Sequence, residues 1–346
     1  MRADLLDRLT AIGAEGYLVT KEANKRYLTG ANALMGNVLV TSSESFIITA
    51  ARHFKYMQEW YPEFRVVRGG WDAVADLGRG LRGVCFEEDV LPVAVHAQLG
   101  SSGLRLVPAS GLLEDLRSVK TAAEIAAIRH ACGVVDGAFQ HIQTFIRPGV
   151  TELDIAAEID VFTRQHGSED LAFKTLVSSG ARCYYPHSAA TAKRVEPGDF
   201  VLMDFGAVHD AYRADITRTV AVGRVDDTQR RMYHLVQTAQ QKALDAIHAG
   251  MLTGEADAVA RDFIMANAEQ GCYEYGLGHG VGLEVHERPA MTPGSRIVLQ
   301  EGHVVSVEPG IYIPEWGGIR IEDTVLIGRN GCEPLTKSTK DLIVLD

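Results

Sequence analysis

One stretch of this sequence occurs twice, and the duplication limits the possible folds more than any other feature. Gly198-Asp199-Phe200-Val201-Leu202-Met203-Asp204-Phe205-Gly206 aligns without a gap on Gly302-His303-Val304-Val305-Ser306-Val307-Glu308-Pro309-Gly310. Asp204 falls on Glu308, and Gly206 on Gly310. Each copy reads as an apolar strand running into a carboxylate, and each follows two helical patterns. The first helix opens at a capping box, Thr121-Ala122-Ala123-Glu124, and runs to about Phe145. The next opens at Thr151-Glu152-Leu153-Asp154 and ends at Gly167. The later pair spans about Thr228 to Ala249, then Thr253 or Glu255 to Gln270. Two such helix–helix–sheet halves predict a pseudo-two-fold domain with acids converging at its centre.

Strands are expected over Ala172 to Val177, Phe200 to Ala207 and Asp215 to Val222. In the last of these, Asp215, Thr217 and Thr219 alternate with Ile216, Arg218 and Val220. A turn centred on His209-Asp210 would place Asp204 opposite Asp215, and like charges so opposed are destabilising. Two acids on one hairpin face therefore call for a cation. The second half offers a matching pair, with Asp215-Ile216-Thr217 set against Glu322-Asp323-Thr324.

At 346 residues the chain is long enough for two domains. Up to residue 116 short strands alternate with helices. The strands are Gly16 to Thr20, Asn37 to Thr41, Phe46 to Thr49, Phe64 to Val67 and Val84 to Phe86. The helices are Met1 to Ile12, Ala51 to Trp60 and Pro92 to Leu99. This predicts an α/β domain over 1–116, without a phosphate-binding glycine loop, and a second, α+β domain over 117–346. Tyr27-Leu28-Thr29-Gly30 and Arg52-His53-Phe54 read as local capping and packing. A net charge of −11 and no basic run argue against a nucleic-acid partner. No apolar run approaches the ~20 residues that span a bilayer, and the first ten residues lack a signal core. Five scattered cysteines, Cys85, Cys132, Cys183, Cys272 and Cys332, fit reduced thiols in the cytoplasm.

Asp204, Asp215, Glu308 and Glu322 would repel one another unless protonated or bound to metal. Two divalent cations would neutralise them. Gly278-His279-Gly280 offers a nitrogen ligand, with flanking glycines that let backbone approach closely. His286, in the strand-like Leu283 to Glu287, and His187, after Tyr185-Pro186, could face the same cavity. Oxygen donors with one imidazole suit Mn, Co or Zn. Hydrolysis by such a pair needs a proton shuttle and donors to a developing oxyanion. Glu308, His187 and His286 are available for these roles. Arg320 would lie beside the acids, either as a partner for a ligand carboxylate or as a substrate contact.

Taken in order, Asp204-Phe205-Gly206, Asp215-Ile216-Thr217-Arg218-Thr219, Gly278-His279-Gly280 with His286-Glu287, Val307-Glu308-Pro309-Gly310 and Gly318-Ile319-Arg320-Ile321-Glu322-Asp323 resemble the motif series of the pita-bread metallopeptidases. Within these the chain resembles the prolidase and aminopeptidase P family, closely in the second domain and loosely in the first. The resemblance implies a creatinase-like amino-terminal domain before a pita-bread catalytic domain. It implies metal ligands at Asp204, Asp215, His279, Glu308 and Glu322, with Asp215 and Glu322 bridging. Substrate contacts are implied for His187, His286 and Arg320. Family members hydrolyse the bond preceding proline, usually with Mn, Co or Zn and usually as dimers; Mn is the favoured ion here.

Three other readings compete. Methionine aminopeptidases would not need the first domain, and metal-free creatinase-like relatives lose the acids that this chain keeps. A non-catalytic pita-bread binding module would show degraded ligands, and none of the five is missing. Between dipeptidase and aminopeptidase, the compact chain favours Xaa-Pro dipeptides. In dipeptidase relatives an arginine shortly after the second histidine holds the substrate carboxylate. Here that stretch reads His286-Glu287-Arg288-Pro289-Ala290-Met291, leaving Arg288, Arg296 or Arg52 as the candidates.

Overall fold

A computed structural model of the protein describes residues 2–30, 34–268 and 275–346; Gln270 and Cys272 lie outside them. The chain divides into two units, Met1–Arg117 and Ser118–Asp346.

The first unit holds helices α1 (Arg2–Ala11), α2 (Glu22–Thr29), α3 (Phe54–Trp60), α4 (Trp71–Gly78), α5 (Val93–Ser101) and α6, which starts at Leu112. Its strands are β1 (Gly16–Val19), β2 (Asn37–Thr41), β3 (Ser45–Thr49), β4 (Arg65–Arg68), β5 (Val84–Phe86) and β6 (Leu106–Pro108). They form one mixed sheet in the order β4-β3-β2-β1-β5-β6. Side-chain alternation explains why the sheet is covered on both faces. Tyr17, Val19, Val38 and Val40 pack with Leu5, Leu9 and Met57. Leu18 and Leu39 pack on the other face with Val74 and Leu99. Central strands covered on both faces read as unbroken apolar runs, as β1 does. Tyr27-Leu28-Thr29 is the last turn of α2, closed by Gly30 in the left-handed region (φ 69°).

The second unit repeats one plan. Its first half has α7 (Ala122–Ile142), α8 (Glu152–Gln165), β7 (Leu176–Ser179), β8 (Phe200–Phe205), β9 (Val208–His209), β10 (Tyr212–Arg213) and β11 (Ile216–Val222). The second half has α9 (Asp227–Ala246), α10 (Thr253–Asn267), β12 (Gly278–Gly280), β13 (Glu287–Met291), β14 (Val304–Val307), β15 (Gly310–Ile313), β16 (Gly317–Arg320) and β17 (Asp323–Gly328). β18 (Gly331–Pro334) and β19 (Val344–Leu345) complete the sheets. The orders are β19-β11-β8-β7 and β13-β12-β14-β17-β18. Capping boxes open three of these helices, at Thr121/Glu124, Thr151/Asp154 and Asp226/Gln229, satisfying backbone N–H groups that a helix start leaves unpaired. Along α7 the buried Ile128, Ala131, Val135, Ala138 and Ile142 recur at helical spacing and pack on Val201 and Met203. α9 and α10 bury Val236, Ala243 and Ile264 against Val305 and Val307 in the same way.

Three expectations need correction. The first hairpin turns on Asp210–Ala211, since Tyr212 pairs with His209. Both turn residues have positive φ (49° and 66°) without being glycine. The Glu169 carboxylate accepts from both of their N–H groups, at 2.8 and 3.1 Å, and so holds a turn that the local sequence does not favour. Moving the turn slips the register by two. Asp204 therefore stands opposite Thr217, and Asp215 is a diagonal neighbour on the same face.

The second hairpin pairs Ile313 with Gly317 and so has a loop one residue longer. By register the counterpart of Glu322 is Thr217, and that of Asp215 is Arg320. The match of Asp215 with Glu322 was two positions out. Thirdly, the expected strands shift. Leu176–Ser179 is the strand in place of Ala172 to Val177. Leu283 to His286 is a bend that precedes β13, because Gly282 N–H bonds Glu284 O (3.0 Å) inside the loop.

A candidate dinuclear metal centre and its pocket

The hairpins bring their acids together by strand alternation. Thr217 and Asp215 share a face of one hairpin, and Glu308, Gly310 and Tyr312 share a face of the other. Glu322 N–H bonds Thr217 O (3.1 Å), and Thr217 Oγ1 donates to Glu322 Oε2 (2.6 Å). Asp215 is fixed through Thr324, whose Oγ1 accepts from Asp215 N–H (3.0 Å) and donates to Asp215 O (2.7 Å). Across the cluster, His279 Nε2 lies 3.7 Å from Asp215 Oδ2 and 3.1 Å from Glu308 Oε1. Its Nδ1 sits 3.1 Å from the Gly280 carbonyl, which can only accept. One ring proton therefore belongs on Nδ1, and Nε2, which faces Glu308, is the nitrogen that a metal would take in place of a proton. Ser306 Oγ accepts from His279 N–H (3.0 Å) and donates to Glu308 Oε1 (2.8 Å).

Arg320 holds the cluster from behind. Its guanidinium donates to Asp204 Oδ2 (2.5 Å), Thr217 Oγ1 (3.0 Å), Tyr312 OH (2.6 Å) and the Pro186 carbonyl (3.1 Å). Of the two roles weighed for Arg320, its contacts are those of a partner to a buried carboxylate, though it also borders the cavity. The Pro186 bond brings the segment carrying His187 up to the acids. His286 stands over His279 with ring centroids 4.1 Å apart.

The electrostatics are those of crowded acids. Burial, then the neighbouring Glu322 and Asp204, push Asp215 well above the usual carboxylate range. Burial, then Glu308 and Asp204, do the same to Glu322. Burial also raises Asp204, against the pull of Arg320. Glu308 goes the other way: burial opposes ionisation, but His279 and Arg320 outweigh it and bring it to about 2. His279 rises to about 9, since bonding to Glu308 overcomes its own burial. Burial and the nearby His279 lower His286.

Asp204 Oδ1, Asp215 Oδ1 and Glu322 Oε1 are buried oxygens with no hydrogen-bond partner. Unmatched buried acceptors are costly. Ligand atoms of Asp215, His279 and Glu322 also lie within 4.8 Å of one another. Hard-to-borderline divalent cations fit this donor set, which is rich in carboxylate and has one imidazole.

A cavity of about 250 Å³ opens beside the cluster. His187, His279, His286, Glu308, Tyr312 and Arg320 line it, together with Tyr275, Ala290 and Thr292. Neither Arg288 nor Arg296 is among the residues lining it. Sequence reasoning missed Tyr312, Thr217 and Ser306. Period-2 spacing from Glu308 and Asp215 would have found all three.

The two glycines around His279 have a checkable role. A Cβ on Gly278 would lie 2.1 Å from Ser306 O, and one on Gly280 would lie 2.2 Å from Arg288 O. Both contacts are with backbone, which cannot swing away. Gly278→Ala is therefore expected to cost about 1–3 kcal/mol, as overpacking does. Urea unfolding of the alanine variant, alongside its metal content, checks this. Unchanged stability would mean that β12 has slack.

With this geometry in view, the comparisons with known proteins are specific. Residues 126–329 match the model of metallopeptidase family M24, and residues 1–119 match the Creatinase/Prolidase N-terminal domain. The chain belongs to metallopeptidase family M24. Its two-domain build is that of the prolidase and aminopeptidase P branch, with a pita-bread catalytic domain. An Xaa-Pro dipeptidase of Pyrococcus horikoshii is 35% identical over 95% of this chain and 94% of its own length. The structure of an Xaa-Pro dipeptidase from Bacillus anthracis superposes with a TM-score of 0.95 at 38% identity, covering 99% of each chain. An X-Pro aminopeptidase from Thermotoga maritima superposes at 0.88 with 33% identity, covering 98% of this chain and 100% of that one. Four described cysteines, Cys85, Cys132, Cys183 and Cys332, are free thiols. No described helix is long and apolar enough to cross a membrane.

Proposed function

We propose that this chain hydrolyses the peptide bond preceding proline in Xaa-Pro dipeptides, using two divalent ions held by Asp204, Asp215, His279, Glu308 and Glu322. The observation that carries this reading is that ligand atoms of Asp215, His279 and Glu322 lie within 4.8 Å of one another, while Asp204, Asp215 and Glu322 each keep a buried oxygen without a hydrogen-bond partner. Bound ions supply Lewis acidity toward a carbonyl oxygen and toward water. The protein's side chains supply the rest. His187 and His286 donate to the substrate's carbonyl and carboxylate oxygens. Glu308 moves a proton from attacking water to the departing proline nitrogen, which must be protonated to leave. Arg320 opposes protonation of Asp204 and aligns it. Mn as the working ion, a homodimeric assembly and a cytoplasmic location complete the reading, supported by the family resemblance and the free thiols.

The small cavity of about 250 Å³ and the two dipeptidase relatives favour dipeptides over longer chains. A carboxylate placed there needs a cationic or hydrogen-bonding partner, and such a contact contributes ~1.5–3 kcal/mol. Amidating the dipeptide, or extending it by one residue, is therefore expected to lower kcat/KM at least roughly tenfold. One observation favours a second reading, aminopeptidase P. The lining contributed by β13 is neutral at Ala290, and Arg320 is already committed to Asp204. Matched Xaa-Pro, Xaa-Pro-amide and Xaa-Pro-Yaa substrates decide between the two. Equal or faster cleavage of the tripeptide makes the enzyme an aminopeptidase P.

A further inference from the structure

Glu287 follows His286 directly but turns away from the cavity. Its side chain is 1% exposed and lies 2.7 Å from Lys120 Nζ, which is 0% exposed. Lys120 is held on its own account. Its N–H bonds Gly302 O (2.9 Å), Val119 bridges His303 at the foot of β14, and its Nζ also donates to Ser118 O (3.0 Å). On the far side the carboxylate rests on Gly282. A Cβ there would fall 2.4 Å from Glu287 Oε1 and 2.9 Å from Oε2. The bend from Gly282 to His286 is thus wrapped around a carboxylate anchored to β14 through Lys120. Stability alone does not account for the charges, because apolar groups of similar volume commonly stabilise a core as well as a buried ion pair does. What the pair adds is direction: one ammonium fixes one carboxylate at one point of the loop.

We propose that the Lys120–Glu287 ion pair is a positioning device for His286. It sets where that imidazole stands over His279 and the cavity, and neither residue touches substrate. The proposal rests on the peptidase reading for its kinetic arm only.

Lys120→Met/Glu287→Leu removes both charges and leaves none unpaired. The metal-loaded double variant should keep its metal content while kcat falls about tenfold to a hundredfold, as displacements near 1 Å do. Gly282→Ala should give the same loss by pushing the carboxylate aside with both charges retained. In a His286→Ala background the double change should cost less than about twofold, because the residue it positions is gone. A crystal structure of the double variant should show the two imidazoles displaced from their 4.1 Å separation. The proposal is overturned by an unmoved His286 ring, by a kcat within about twofold of the parent, or by an undiminished loss in the His286→Ala background. Failure of both the double variant and Gly282→Ala to fold makes the pair a stability element and overturns it too. A parent protein that cleaves no Xaa-Pro peptide refutes the functional reading instead, and the crystallographic arm still decides this one.

Discussion

Replacing Asp204 with alanine is expected to remove metal and turnover together. One oxygen of Asp204 is buried without a partner, and the other is held by Arg320. The residue therefore presents an oriented acceptor that only a cation or a proton can satisfy. Loss of Lewis-acid assistance is worth several kcal/mol, or roughly 10³-fold or more in rate. Glu308→Ala should behave alike, since Glu308 occupies the equivalent strand end and faces His279 at 3.1 Å. The two variants should differ in stability. Asp204→Ala leaves the buried Arg320 without its main counter-charge, a loss that typically costs about 3–5 kcal/mol. Far-UV circular dichroism should still report a folded chain, because the apolar clusters on either side of the acids are untouched. Metal analysis with a peptidase assay checks the prediction. An Asp204→Ala protein with full metal content and full turnover would sink the ligand assignment.

His187→Ala should give the opposite pattern, with metal retained and rate lost. His187 is outside the five-residue donor set, and it borders the cavity with Pro186, whose carbonyl is tied to Arg320. Deleting its ring should therefore leave the acids in place. Removing one well-placed donor or proton shuttle typically lowers kcat by ~10²–10³-fold. Single-turnover kinetics on metal-loaded protein would read this directly. A normal kcat at normal occupancy would make His187 an ordinary loop histidine.

Much of this was legible in the sequence, for identifiable reasons. The repeat could be read because strand ends and helix starts use local chemistry: alternation, capping boxes and glycine. Register could not, because the turn at Asp210–Ala211 depends on Glu169, some forty residues upstream. Matching Asp215 to Glu322 implies three extra residues in the second hairpin, where the register has one. In the first unit α2 was overlooked, since Tyr27-Leu28-Thr29 looks like an element end and is in fact a helix's last turn. Contacts such as Lys120 with Glu287 join residues far apart in the chain, and no local pattern announces them.

The central claim is that buried acids from two hairpins and one imidazole hold a pair of catalytic divalent ions. Metal content measured on purified protein during stepwise Mn addition, with Xaa-Pro hydrolysis followed in the same samples, tests it most directly. The account predicts activity that rises to a plateau near two ions per chain, is abolished by chelation and returns with Mn. Full hydrolysis by chelated, metal-free protein, or stoichiometric metal binding with no Xaa-Pro cleavage at all, would contradict it.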